Sequence, residues 1–314
     1  MVNSNFSLES QIIKLKKSKN ALILAHYYQT EDIQDIADFI GDSLDLAKKA
    51  AATNADIILF CGVKFMAEVA KILNPSKKVL VPDLQAGCSL EESCQPQEFA
   101  KFCQSNADNI VISYINCSAE IKALSDIIVT SSNAEKIIKS VPLDKEIIFA
   151  PDRNLGNYLI KQTGRKMKLW NGSCIVHEQF SLKSLIKLKE RYPEALVIAH
   201  PECPENLLDL ADFIGSTSKL LNFVKEQTPK DFIVLTESGI IHQMKKVSSD
   251  SNFYVVPAIK EDISCVHCSS CPHMKLNNME KIYNVLVNEH QEITMPEQLL
   301  IKAEQPLKQM LQLS

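Results

Sequence analysis

No apolar run in this sequence approaches the ~18 residues that a membrane-spanning helix needs. The longest uninterrupted ones, such as Ile57 to Val63, have the length of a strand. An excess of positive charge is also missing. Thirty-four Lys and Arg against 38 Asp and Glu leave a net charge of −4, so no basic nucleic-acid-binding face is expected. The first twenty residues hold scattered lysines and no hydrophobic core, so we expect no secretory signal and a cytoplasmic protein. Disorder is excluded by a composition of 46% hydrophobic and 23% charged residues. At 314 residues the chain suits two or three domains, with roughly 75% of its unfolded surface buried on folding.

What the chain does have is cysteine, ten in all. In a reducing cytosol these are not expected to form a disulfide framework, which favours thiol chemistry or metal ligation for some of them. They are scattered until Cys265, Cys268 and Cys271, which form a C-x-x-C-x-x-C run.

An internal repeat organises the rest. Ala21-Leu22-Ile23-Leu24-Ala25-His26 returns as Ala195-Leu196-Val197-Ile198-Ala199-His200. Twelve residues after each histidine stands Asp38 or Asp212, inside an identical Ala-Asp-Phe-Ile-Gly. A fainter copy lies between them, in Ile110 to Tyr114 followed by Ser125-Asp126-Ile127-Ile128, so that His26, Tyr114 and His200 are 88 and 86 residues apart. Each copy opens on a short apolar run that reads as a buried parallel strand. After the first strand, Ile33, Ile36, Ala37 and Ile40 have helical spacing behind Thr30 as a cap. A second strand, a second helix and a third strand (Ile57 to Cys61, Ile147 to Ala150, Ile233 to Thr236) complete each unit. Alternating strands and helices predict parallel sheets covered on both faces. We therefore expect an α/β protein of three similar αβα domains with small parallel sheets, which would enclose a central active site if they meet with pseudo-threefold symmetry. The divisions are 1–97, 98–183, and 184–287 with the C-x-x-C-x-x-C loop. A helical tail over 288–314 follows, with Leu299, Leu300, Leu307 and Leu311 available to pack.

Ligands of parallel α/β sheets sit beyond the carboxyl ends of the strands, where His26, Tyr114 and His200 fall. Seventeen residues on, each copy has a hydroxyl residue that opens the next helix: Ser43, Ser131 and Thr217. They are either N-caps or, meeting about a common axis, three anion receptors suited to a polyanionic small substrate. Cysteines fall into the same frame. Cys88 lies 62 residues after His26, Cys174 lies 60 after Tyr114, and the terminal run lies 65 to 71 after His200. Three convergent sulfurs would hold an iron–sulfur cluster with one iron open, since electron-transfer clusters normally take four cysteines. Zinc on Cys265, Cys268, Cys271 and His273, or a redox dithiol in Cys265 and Cys268, are the alternatives. We read most of Cys61, Cys94, Cys103, Cys117 and Cys203 as small buried hydrophobes. His242, His273 and His290 read as surface or structural, Trp170 and Tyr27 as packing.

An ordered set of motifs runs through the chain from about residue 20 to about residue 285: Leu24-Ala25-His26-Tyr27-Tyr28-Gln29, Gly41-Asp42-Ser43-Leu44, Tyr114-Ile115-Asn116, Thr130-Ser131-Ser132-Asn133-Ala134, Gly172-Ser173-Cys174-Ile175-Val176-His177, His200-Pro201-Glu202-Cys203, Gly215-Ser216-Thr217 and Cys271-Pro272-His273-Met274-Lys275. Together they resemble the quinolinate synthases, iron–sulfur enzymes of bacterial NAD biosynthesis. That resemblance implies condensation of iminoaspartate with dihydroxyacetone phosphate, with loss of phosphate and water, on a 4Fe–4S cluster held by one cysteine from each domain. By position the ligands would be Cys88, Cys174 and, within the terminal run, Cys271, which leaves Cys265 and Cys268 as a candidate regulatory disulfide. The substrate-contact positions map to His26, Tyr28, Ser43, Tyr114, Asn116, Ser131, His177, His200, Glu202 and Thr217. Among these Glu202 suits a base, Tyr28 a proton donor, and His200 a further catalytic group, while an open iron suits a Lewis acid. An iminoaspartate-producing oxidase is the candidate partner. An iron–sulfur dehydratase for another hydroxy acid, or a zinc or electron-carrying protein, are the competing functions.

Overall fold

The structure is a computed structural model and describes residues 7–106, 108–227, 230–258 and 269–314. Among these residues, twelve strands form three four-stranded sheets, every pairing parallel. The first holds β1 (Ala21–His26), β2 (Phe39–Gly41), β3 (Ile57–Cys61) and β4 (Lys78–Leu80) in the order β2-β1-β3-β4. The second holds β5 (Ile110–Tyr114), β6 (Ile127–Val129), β7 (Ile147–Ala150) and β8 (Met167–Leu169) in the order β6-β5-β7-β8. The third holds β9 (Leu196–Ala199), β10 (Phe213–Ile214), β11 (Phe232–Leu235) and β12 (Phe253–Val255) in the order β10-β9-β11-β12. Three α/β units of one topology follow, as the repeat predicted. β3, β7 and β11 are buried at every residue, as expected of inner strands with helices on both faces.

The repeated aspartate has a structural task. Asp38 donates its N–H to the Ile23 carbonyl (2.9 Å) and accepts the Ile23 N–H on its carboxylate (2.8 Å). Asp126 does the same with Val111, and Asp212 with Val197. Each satisfies a backbone pair of the unit's first strand before the second strand begins, so the fainter middle copy is geometrically equivalent to the others. The glycine of Ala-Asp-Phe-Ile-Gly answers a close helix approach. A Cβ on Gly41 would lie 2.8 Å from Asp45 Cβ, and one on Gly215 2.8 Å from Lys219 Cβ. In the middle unit the helix begins three residues later, at Ala134, and Val129 takes the equivalent place.

The helix Glu31–Ile36 ends before Ile40, which lies in β2, and Thr30 occupies its cap position without a side-chain cap bond. The last two helices pack back on the first two units. In Met279–Asn288, Ile282, Val285 and Leu286 pack with Ile12, Ile23 and Leu59 over the first sheet. Glu297–Leu313 buries Ala303, Leu307 and Met310 among the core residues of the first and second units, with Leu299, Leu300 and Leu311 packed alongside. A fully buried leucine such as Leu307 contributes roughly 1.5–3 kcal/mol. Among the described residues no helix is long and apolar enough to cross a membrane.

Candidate active site

The carboxyl ends of the strands of all three units open on one cavity, which encloses about 700 Å³ counting its mouth. The substrate-contact and cluster-ligand positions of the sequence all line it: His26, Tyr28, Ser43 and Cys88 from the first unit, Tyr114, Asn116, Ser131, Cys174 and His177 from the second, and His200, Glu202, Thr217 and Cys271 from the third. Asp42 and Glu237, not picked out as site residues in the sequence, also line it, and so does His273.

Local structure explains their placement. Ser43 and Thr217 are the first residues of their helices, but the caps are their neighbours. Asp42 accepts the N–H groups of Leu44 and Asp45, and Ser216 accepts that of Lys219. Ser131 precedes its helix by three residues, and Asn133 occupies that cap position. None of the three hydroxyls is therefore spent on capping. Their neighbours join the units: Ser132 Oγ donates to Asp42 Oδ2 (2.7 Å) and lies 2.8 Å from Ser216 Oγ. Asn116 Oδ1 is buried with no hydrogen-bond partner, which makes it a ready acceptor at the cavity wall.

The two strand-end histidines share a further device. Tyr28 N–H donates to His26 Nδ1 (3.2 Å), and Glu202 N–H donates to His200 Nδ1 (3.4 Å). A backbone N–H can only donate, so both rings carry their proton on Nε2. His200 Nε2 then donates to Ser131 Oγ (3.2 Å). Burial holds His26 down to about 4 and His200 down to about 3, which keeps both rings neutral at neutral pH.

Glu202 sits among donors. Tyr114 Oη donates to its Oε1 (2.6 Å), and His177 Nδ1 lies 2.9 Å from its Oε2. Burial acts to raise its pKa, but the neighbouring His177 and His200 and the hydrogen bonds from His177 and Tyr114 outweigh it, so the carboxyl falls below its usual range. The other face of His177 meets Thr236, with Nε2 3.1 Å from Oγ1. Tyr28 Oη lies 2.7 Å from the same Thr236 oxygen and 3.1 Å from Thr217 Oγ1. Burial, with the Glu202 charge added, raises both Tyr28 and Tyr114 well above 10, so both remain proton donors.

Glu237 is a fully buried carboxylate. Its Oε1 accepts the Cys271 N–H (3.1 Å) and lies 3.2 Å from Lys275 Nζ, while its Oε2 accepts the Gly239 N–H (2.6 Å). Lys275 Nζ donates to the Tyr28 carbonyl at 2.6 Å. Glu237 thus anchors the Cys271 loop and, through Lys275, ties it to the first unit.

Cys88, Cys174 and Cys271 each follow the last strand of a unit in the chain. Burial raises all three thiols, and Cys174 is raised further by Glu202, Cys88 and Cys271. Sulfurs around one tetrahedral ion lie about 3.8 Å apart. Among the described residues the compact group of three metal-ligating side chains is Cys174, His177 and Glu202, with donor atoms within 4.8 Å of one another. Cys61, Cys94, Cys117 and Cys203 are buried elsewhere, whereas Cys103 is half-buried. Cys265 and Cys268, and with them the zinc site, the dithiol and the regulatory disulfide, lie outside the described residues. Trp170 packs edge-on against Phe99 and Phe102, and Tyr27 is buried. His273, read as surface or structural, lines the cavity instead.

Comparison with known proteins decides the family. The family model described as "Quinolinate synthetase A protein" matches residues 10–312. The chain belongs to this family. It is 57% identical to a quinolinate synthase of Trichodesmium erythraeum, covering 100% of this chain and 97% of the relative. It is also 57% identical to the quinolinate synthases of Synechocystis (98% and 95% covered) and Ehrlichia chaffeensis (98% of each). The chain is therefore an enzyme of the family that serves NAD biosynthesis.

Proposed function

We propose that this enzyme condenses iminoaspartate with dihydroxyacetone phosphate to form quinolinate, with loss of phosphate and water, and that it works in the cytoplasm. The observation that carries the proposal is the meeting of one thiol per unit and the Glu202 carboxylate on a single cavity. Cys88, Cys174 and Cys271 would hold a 4Fe–4S cluster, and their place on one cavity wall, one from each unit, supports that donor set. With three protein ligands such a cluster supplies a Lewis-acidic iron.

The chain's own residues supply the rest. Glu202 is ionised and held by Tyr114 and His177, which suits removal of a carbon-bound proton. Tyr28 keeps its phenolic proton and can return one to a leaving oxygen. His177, between Glu202 and Thr236, holds the Glu202 carboxylate in place through its Nδ1–H. Ser43, Ser131 and Thr217, with the Nε2–H of His26, offer donors to phosphate and carboxylate groups, and Asn116 offers an acceptor.

Anaerobic purification with iron, sulfide and zinc analysis, followed by a quinolinate assay on the two substrates, tests the proposal. Iron and sulfide in equal amounts with quinolinate formed is the expected result. One zinc per chain with no iron overturns it.

A further inference from the structure

The same cavity holds a second, compact donor set. One ligand atom each from Cys174, His177 and Glu202 falls within 4.8 Å of the other two. Sγ and Nδ1 are 3.2 Å apart, Nδ1 and Oε2 2.9 Å. Ligands on a tetrahedral ion with bonds of about 2.0–2.3 Å sit about 3.3–3.8 Å apart. One ion would fit here with the Sγ–Nδ1 and Nδ1–Oε2 pairs opened by well under an ångström and the sulfur and carboxylate oxygen settled at a similar separation.

The surroundings are those of a built metal site. The remaining ring nitrogen of His177 is held by Thr236 Oγ1 at 3.1 Å, and the remaining oxygen of Glu202 by Tyr114 Oη at 2.6 Å. Such outer hydrogen bonds orient ligands and fix the imidazole tautomer. The His177 and Glu202 side chains are 3% and 4% exposed, and all three residues line the cavity, from which a fourth ligand could come. A divalent ion, a thiolate, a carboxylate and a neutral imidazole sum to zero charge, which a buried site favours. Sulfur, nitrogen and oxygen together select a borderline-soft ion over magnesium or calcium.

We propose that the cluster-free chain binds one zinc- or cobalt-type divalent ion at Cys174, His177 and Glu202. Binding releases the Cys174 thiol proton to solvent, and no electrons change hands. The ion withholds Cys174 from cluster assembly and Glu202 from the reaction, so it acts as an inhibitory occupant. Only this competition rests on the cluster assignment above; the ion site does not.

The test is an anaerobic cobalt(II) titration of the cluster-free full chain. Saturation at one equivalent is expected, with a near-ultraviolet sulfur-to-cobalt charge-transfer band and the strong visible bands of four-coordinate cobalt. Cys174→Ser removes the charge-transfer band. His177→Gln and Glu202→Gln each weaken binding about 10-fold or more, and Cys88→Ser and Cys271→Ser leave stoichiometry and band unchanged. Loss of the band in Cys88→Ser or Cys271→Ser overturns the proposal in favour of a three-thiol site. Wild-type protein without a saturable band overturns it with no variant needed. For the competition, one equivalent of zinc(II) added before cluster reconstitution should lower the iron incorporated, and equal incorporation refutes that half. Wild-type chain that takes up no cluster in zinc-free buffer refutes the proposed function and leaves the ion site standing.

Discussion

The hydroxyl of Tyr114 donates to Glu202 Oε1 at 2.6 Å, so the strand-end residue of the second unit holds the carboxylate of the third. With His177 on the other oxygen, Glu202 has one orientation and keeps its charge. In the proposed reaction that charge is the base. Glu202→Gln preserves shape and removes basicity, so it should retain the cluster while turnover falls by roughly 10²–10⁴. Steady-state kinetics with iron analysis on the same sample checks this. Wild-type turnover in a folded, fully loaded variant would remove Glu202 from the role.

His26 gives a pH-dependence with a defined sign. Burial holds it neutral down to about 4, against 6.5 for the unfolded chain. Between those values the unfolded state binds the extra proton, so stability carried by His26 is full above pH 6.5 and lost as pH falls towards 4. The urea midpoints of wild type and His26→Asn, both cluster-free, should differ most near pH 7 and converge towards pH 4. A difference that grows on acidification would contradict the assignment. Subtracting the variant cancels buried carboxyls such as Glu91, whose pKa burial raises to about 7.

Glycine at position 41 carries a third prediction. Gly41→Ala places a Cβ 2.8 Å from Asp45 Cβ, and overpacking of this kind costs about 1–3 kcal/mol. Thermal unfolding should show the loss. Val129→Ala, at the equivalent place in the middle unit, introduces no such clash and loses only buried methyl groups. An unchanged melting temperature in Gly41→Ala would mean that the helix yields freely.

That contrast shows how far the fold could be read in the sequence. The recurrence of His26 and Asp38 as His200 and Asp212 carried the topology, because each aspartate repeats one backbone task. Cys88 and Cys174 were legible because the loops that hold them keep a nearly constant phase. Thr236 and Glu237 were not singled out. Thirty-six residues after the strand-end residue the three units have Gly62, Ala150 and Thr236, with no shared type for a repeat search to find. Their position, a polar pair just beyond the carboxyl end of β11, was the available signal. The surfaces covered by the helices Met279–Asn288 and Glu297–Leu313 were equally hidden, since an amphipathic pattern shows that a face is buried but not against what.

Lys275→Met tests the anchoring of Cys271. Lys275 is the counter-charge of the buried Glu237 carboxylate and grips the Tyr28 carbonyl. Its loss leaves that carboxylate without its cation, a change that costs several kcal/mol at fully buried pairs and less here, where Lys275 is partly exposed. Cluster release to a chelator should be faster than in wild type, and Lys275→Arg should restore much of the difference. Identical release rates in all three proteins would separate Lys275 from the cluster loop.

Iron content and the visible spectrum across five cysteine variants test the central claim most directly. Cys88→Ser, Cys174→Ser and Cys271→Ser should each be colourless and free of iron, while Cys94→Ser and Cys103→Ser stay brown at wild-type loading. A brown, iron-loaded Cys174→Ser protein would contradict the convergence of one sulfur from each unit on a shared metal centre.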